Sequence, residues 1–399
     1  MTGLLYALGR WGSDDMQYVV VGPSSKPAWM KDYLGENQRI VAGPSPQQPA
    51  RPSLVERGKR LLGPARRPLA ALRRRVLGQT EVARFCVPDS GGFFESLDVD
   101  VVHFPYQDYI RCELPTIFNP HDLQHLHFPE FFPEERIAWR EHLYRFACAQ
   151  SRVVVAESQW AKDDLVKQYH LSDGKIVVIR RGAPTALYDP PSAAELDTLR
   201  RQLSLPSVFA LYPAKTYPHK NHAMLFRAIH LLREQFGQKV HLVCPGTKSD
   251  YWPTLENQLD HLKLHDQVLF PGFVSGRELR GLYRLARCLV FPTLFEGAGF
   301  PLIEAFHEGL PVACSDIPVL RESGGNAACY FHPGEVESIA RVLQSLFFDD
   351  ALRQEKVRLG RQQLEMFSWQ RMGRTYRSLY RQVAGQRLSS AEQAMLKGG

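Results

Sequence analysis

Cysteine is scarce in this 399-residue chain, and its spacing excludes more than it suggests. The seven, Cys86, Cys112, Cys148, Cys244, Cys288, Cys314 and Cys329, are odd in number, scattered, and form no C-x-x-C pair. Such a set supports neither a disulfide framework nor a zinc site. Several lie in apolar, strand-like runs, where a reduced cysteine packs as a small hydrophobe. No apolar run reaches the length of a membrane span. The N-terminus lacks the basic stretch and apolar core of a signal peptide, and no solenoid-type repeat occurs. A cytoplasmic protein is the expectation.

An excess of one charge is also missing, except in one segment. The chain carries 49 Lys and Arg against 42 Asp and Glu, a net +7. Residues 51–85 alone hold ten basic residues against Glu56 and Glu81, which is +8 and leaves −1 for the remainder. No aromatic residue interleaves with these arginines, so stacking on nucleic-acid bases is not expected. Leucines do interleave: Leu54, Leu61, Leu62, Leu69, Leu72 and Leu77. A basic amphipathic segment of this kind can lie on anionic lipid, at the inner face of a membrane. Pro64 and Pro68 divide it, and a solvated insertion with docked leucines fits equally well.

What is present is α/β alternation. The length suggests two domains, each able to bury a core. Strands are predicted at Tyr18–Gly22, Val101–Phe104, Thr116–Phe118, Arg152–Ala156 and Lys175–Ile179. Helices are predicted at Leu4–Trp11, Glu135–Gln150 and Trp160–Tyr169, the last capped by Ser158. A second series runs through strands at 208–212, 239–244, 267–271 and 287–292, with helices at 221–236, 252–264 and 276–286. Strands alternating with helices imply parallel sheets. Pro190-Pro191 interrupts the pattern and marks the linker, at Asp189–Ser192.

The densest signal follows the strand at 287–292. Glu296-Gly297-Ala298-Gly299-Phe300-Pro301-Leu302-Ile303-Glu304 reads as a glycine-rich turn into a helix, with Pro301 in its first turn. Gly297 and Gly299 let a ligand approach the backbone. Free N–H groups at the helix start favour phosphate. One carboxylate, Glu296, then suits hydroxyls beyond the phosphates, and the other, Glu304, a ribose behind them. Two solvated glutamates on an ordinary strand–loop–helix unit are the alternative.

This stretch resembles the E-x7-E signature of retaining glycosyltransferases of family 4. The resemblance continues through Pro311–Asp316, Glu322–Gly325 and Phe270–Val274, and covers most of residues 100–375. It implies a GT-B fold: two Rossmann-like domains facing across a cleft, with a C-terminal helix crossing back to the first domain. The implied domains are 1–190, on the acceptor side; 191–366, which binds the nucleotide sugar; and 367–399, the returning helical segment after Phe367-Ser368-Trp369. Lys215 and Lys220 match the family's basic pair on the donor phosphates, with lysine where arginine is common at the first. His121, just past a strand end, matches a histidine placed against the donor sugar. Phe273 and Val274 match the loop that meets the nucleotide base. The spacing of His121, His125 and His127 does not suit zinc, and the family implies no metal and no cofactor beyond the donor itself.

Two departures stand out. The family's opening strand and glycine-rich loop are missing before the first helix, so the expectation is a truncated chain or a start assigned downstream of the true one. Arg180-Arg181-Gly182-Ala183 replaces the usual Pro-Asn-Gly-Val. The implied reaction moves a hexose from a nucleotide sugar to a glycan or lipid-linked acceptor. GDP-mannose stands ahead of UDP-glucose, because the run His121–Pro133 is similar to mannosyltransferase-like relatives. A nucleotide-sugar epimerase of the same shape and a catalytically silent sugar-nucleotide-binding protein are the alternatives.

Overall fold

The computed structural model describes residues 2–11, 15–22, 28–43 and 85–397. The basic segment 51–85 therefore lies outside the described residues, apart from Phe85. Strands β1 (Tyr18–Gly22) and β2 (Gln38–Ala42) pair in parallel as a small sheet. Strands β3 (Val102–Phe104), β4 (Thr116–Phe118), β5 (Val153–Ala156) and β6 (Ile176–Val178) form a second parallel sheet, in that order. The third sheet holds β7 (Ala210–Leu211), β8 (Leu242–Pro245), β9 (Val268–Gly272), β10 (Cys288–Phe291), β11 (Val312–Ser315) and β12 (Ala328–Phe331). Its spatial order is β12-β11-β10-β7-β8-β9, with every recorded pairing parallel.

That order fixes where a ligand goes. From β7 the chain builds outward through β8 and β9, then returns to the other side of β7 for β10. The connections leave β7 and β10 in opposite directions, and a crevice opens at their carboxyl ends. The loops that follow β7 and β10 are those carrying Lys215, Lys220 and Glu296.

The strands are apolar because both faces are covered. All four residues of β5, β8, β10 and β11 are buried, as a parallel sheet between helix layers requires. One face of the β3–β6 sheet packs on the helices Glu134–Gln150 and Gln159–Tyr169 through Phe118, Val154, Leu143, Tyr144 and Leu165. The other face is covered by chain remote in sequence. Ile117, Val153 and Val155 meet Leu4 and Leu8 of the first helix, Thr2–Arg10, and Met372, Tyr376 and Leu379 of the helix Trp369–Val383. The C-terminal helix thus returns to the first domain. Polar groups fasten it there: the Asn119 amide donates to Tyr376 Oη at 2.9 Å, and His103 bridges Tyr380 Oη and Asn119 Oδ1.

Several paired segments are shorter than the apolar runs that predict them, as at Ala210–Leu211 and Leu242–Pro245. Strand β2 and the helices Val336–Phe348 and Asp350–Gln363 have no counterpart in the sequence reading. Among the described residues, no helix is long and apolar enough to cross a membrane.

Candidate active site

The loop after β7 and the loop after β10 are knitted together. Leu294 N–H donates to the His219 carbonyl at 2.8 Å. Asn221 sits in the left-handed region (φ 59°) and its amide reaches the carbonyls of Pro292 and Pro333 at 3.0 and 2.9 Å. Tyr212, fully buried, donates its hydroxyl to the Lys220 carbonyl. These contacts bring the Lys220 ammonium onto Glu296: Nζ lies 2.5 Å from Oε1. Lys215 stays exposed, 5.9 Å from the Tyr217 ring.

The helix Phe300–His307 begins at Gly299, whose φ of 73° suits glycine, and no side chain caps it. A Cβ at Gly299 would lie 2.5 Å from Leu320. The helix start therefore presents uncapped N–H groups at the crevice, a natural anion site. Ala298 and Leu302 are buried beneath it, and Ser323 Oγ holds the Ala298 carbonyl at 2.8 Å.

Glu304 faces inward from the same helix. It is buried, and Tyr283 Oη donates to its Oε2 at 2.9 Å. Burial pushes its carboxyl up to about 7, against the opposing pull of Tyr283 and the Thr185 backbone. Phe273 is 80% exposed, whereas Val274 packs on the core.

His121 occupies the opposite wall. Its φ is 65°, a conformation that costs a non-glycine residue about 1–2 kcal/mol. Nδ1 lies 2.8 Å from Glu157 Oε1 and Nε2 lies 2.9 Å from the Pro105 carbonyl. Both partners are acceptors, so the ring donates from both nitrogens when both bonds are made. The ring is thus held within its own domain. What His121 turns toward the donor loop is its carbonyl: a Cβ at Gly297 would lie only 2.8 Å from it. The ring that the resemblance places against the donor sugar has both nitrogens taken by these two acceptors. Glu296, expected to face hydroxyls beyond the phosphates, is paired with Lys220. His125 and His127 also have carboxylate partners, Glu141 and Asp164, at 2.9 and 2.8 Å.

Two residues without an assigned role complete the wall. Glu157, one position past β5, is buried and takes Arg181 Nη2 at 2.6 Å on the oxygen that also takes His121. Burial would raise its carboxyl, but Arg181 and His121 hold it at about 2. Arg181 also lays its guanidinium 4.2 Å from the Phe300 ring centroid. A signal for Glu157 was present in its place at the carboxyl edge of a strand.

Contacts across the crevice are numerous. Ser158 caps Gln159–Tyr169 through Ala161 N and donates its hydroxyl to the Gly297 carbonyl at 2.8 Å. Glu322 accepts from Gln159 N, Trp160 N and Arg180 Nη2 at 2.8, 2.9 and 2.6 Å. The Phe295 ring sits among His127, Phe128 and Trp160.

Two parallel α/β sheets facing across a crevice, with an uncapped helix start at the switch point of one, are the architecture of the GT-B fold. Residues 197–363 match the model of "Glycosyl transferases group 1", and residues 37–187 match "Glycosyltransferase Family 4". The chain belongs to these family 4 glycosyltransferases, and it is a sugar-transferring enzyme.

Among curated relatives, O-antigen chain mannosyltransferase B of Escherichia coli is 28% identical over 66% of this chain and 72% of its own length. O-antigen chain mannosyltransferase RfbU of Salmonella typhimurium is 27% identical over 57% of this chain and 59% of its own. The match to the serotype-specific mannosyltransferase WbdA of Escherichia coli spans only 27% of that longer protein. Among solved structures, Anabaena Alr3699/HepE in complex with UDP and glucose superposes with a TM-score of 0.61 at 17% identity, over 91% of this chain and 99% of that one. A glycosyltransferase from Rickettsia africae gives 0.63 at 16% identity, over 93% and 99%. At such identities the likeness is one of fold.

Proposed function

We propose that the chain is a retaining mannosyltransferase that moves mannose from GDP-mannose to a glycan or lipid-linked acceptor. The observation that carries this reading is the similarity to two O-antigen chain mannosyltransferases over more than half of the chain. The site geometry suits the chemistry. A diphosphate at the uncapped start of Phe300–His307 lies near the loop of Lys215 and Lys220. As the bond from the sugar to the diphosphate breaks, negative charge grows on the departing oxygen, and fixed cations and N–H dipoles stabilise it. Lys220 is then shared between phosphate and Glu296, which is freed toward a hydroxyl of the donor sugar. Glu304 takes the ribose hydroxyls, and the backbone at Phe273 and Val274 takes the base. His121 forms the wall beneath the sugar.

UDP-glucose is the second donor, favoured by the fold shared with a protein that holds UDP and glucose. Lysines and a helix start replace a metal in this reading. The test is nucleotide release with purified protein across a panel of sugar nucleotides, with and without EDTA. GDP-mannose should be used best, and chelation should leave the rate unchanged. Preference for another donor, or loss of activity restored by one divalent ion, would refute the corresponding claim. We place the enzyme in the cytoplasm, at the inner membrane face through 51–85. Co-sedimentation with anionic but not neutral vesicles checks that placement.

A further inference from the structure

Glu157 has no part in the donor site described above, yet it is the most constrained carboxylate on the opposite wall. Its side chain is 5% exposed. A buried carboxylate persists only with partners, and its Oε1 has two: His121 Nδ1 at 2.8 Å and Arg181 Nη2 at 2.6 Å. The Pro105 carbonyl holds the far nitrogen of the same ring at 2.9 Å. His121 is therefore fixed from the loop after β3 and from the end of β5 together. The adjoining cavity, about 30 Å³, has room for about one water, so the ring has little space in which to turn away.

The backbone gives this clamp a consequence. His121 is held at φ 65°, and unfavourable backbone geometry persists where the surroundings over-determine it. In that conformation its carbonyl faces the donor loop, 2.8 Å from where a Gly297 Cβ would stand. Arg181 joins the same assembly to the other wall through Phe300. We infer that Glu157 is a positioning residue for sugar transfer: it anchors the His121 ring and so holds the His121 carbonyl against the donor loop. Arg181 supplies the counter-charge. The inference rests on the transferase site proposed above.

The test uses the full chain and Glu157→Gln, which keeps size and an acceptor oxygen but removes the charge. Glu157→Ala removes both. The ring N–H donated to a buried carboxylate gives a downfield proton resonance, assigned by its loss in His121→Asn. It should be present in the wild type and lost or strongly shifted in both Glu157 variants. Turnover in Glu157→Gln should fall by about tenfold to a hundredfold, as for a misplaced reacting group. The donor KM and nucleotide affinity should change by less than about threefold, because the donor-binding groups are untouched. Arg181→Lys keeps charge without the planar fork and should lie between wild type and Glu157→Gln in turnover.

A wild-type spectrum without a His121-dependent downfield resonance overturns the inference. So does a Glu157→Gln enzyme with wild-type turnover. If Glu157→Ala does not fold, Glu157→Gln decides alone. If wild-type protein turns over no sugar nucleotide, the proposed function fails, while the resonance still decides whether Glu157 anchors His121.

Discussion

Glu304 and Glu157 are both buried carboxylates, and their surroundings push them in opposite directions. Glu304 has a hydroxyl and a backbone group beside it but no cation, so burial dominates and its carboxyl rises from 4.5 to about 7. Between those values the folded chain holds a proton that the unfolded chain has released. Stability attributable to Glu304 therefore falls as pH rises through that window. Glu304→Gln removes the titration. Urea unfolding should show the wild type losing stability relative to this variant between about pH 4.5 and 7, by on the order of 3 kcal/mol at most. A difference that is the same at pH 5 and pH 8 would contradict this account. Glu157, held at about 2 by Arg181 and His121 despite burial, acts with the reverse sign. Its stabilisation is present above 4.5 and is lost as pH falls toward 2.

Among the elements, the turn from β10 into the helix Phe300–His307 is held from several sides. Its backbone passes beneath the His121 carbonyl, takes the Ser158 hydroxyl at the Gly297 carbonyl, and leaves the helix start uncapped. A methyl group at Gly297 would meet the backbone carbonyl of His121 at 2.8 Å, with no flexible side chain there to yield. Gly297→Ala should therefore part the two walls. The expected result is a fall in turnover of about tenfold or more, with the melting temperature of the core little changed. Turnover equal to wild type would mean that the loop and His121 do not approach so closely in the working enzyme. The glycine-rich character of this turn is visible in sequence. The identity of what it touches is not, because His121 lies 176 positions earlier.

At the scale of the molecule, Glu322 is the principal charged clasp between the walls. It accepts two N–H groups at the start of Gln159–Tyr169 and the Arg180 guanidinium. A carboxylate there satisfies a helix terminus and complements its dipole. Glu322→Ala removes all three bonds, while Ser158, the Arg181–Phe300 contact and the Phe295 aromatic cluster still join the walls. Small-angle scattering of the nucleotide-free variant should show a larger radius of gyration than wild type, and saturating nucleotide should reduce the difference. Identical scattering profiles without nucleotide would show that the clasp does not govern closure.

Local chemistry decided much of this protein. Strand–helix alternation, apolar runs with both faces to bury, a serine before Gln159, and glycines ahead of Pro301 act within a few residues, so the parallel α/β class and the phosphate-suited turn were legible. His121 and Glu296 were legible as candidate site residues, but the partners that hold them were not. Each is claimed by a partner from another loop, Glu157 and Lys220, and hydrogen bonds between distant segments leave no periodicity to read. Glu157 and Arg181 owe their role wholly to that meeting: alone, one is a carboxylate at a strand end and the other a second arginine in a turn. The strand order of the third sheet belongs with them. Each strand's pattern specifies that it be buried, whereas which strand lies beside β7, and hence where the crevice opens, is settled only when all six pack together.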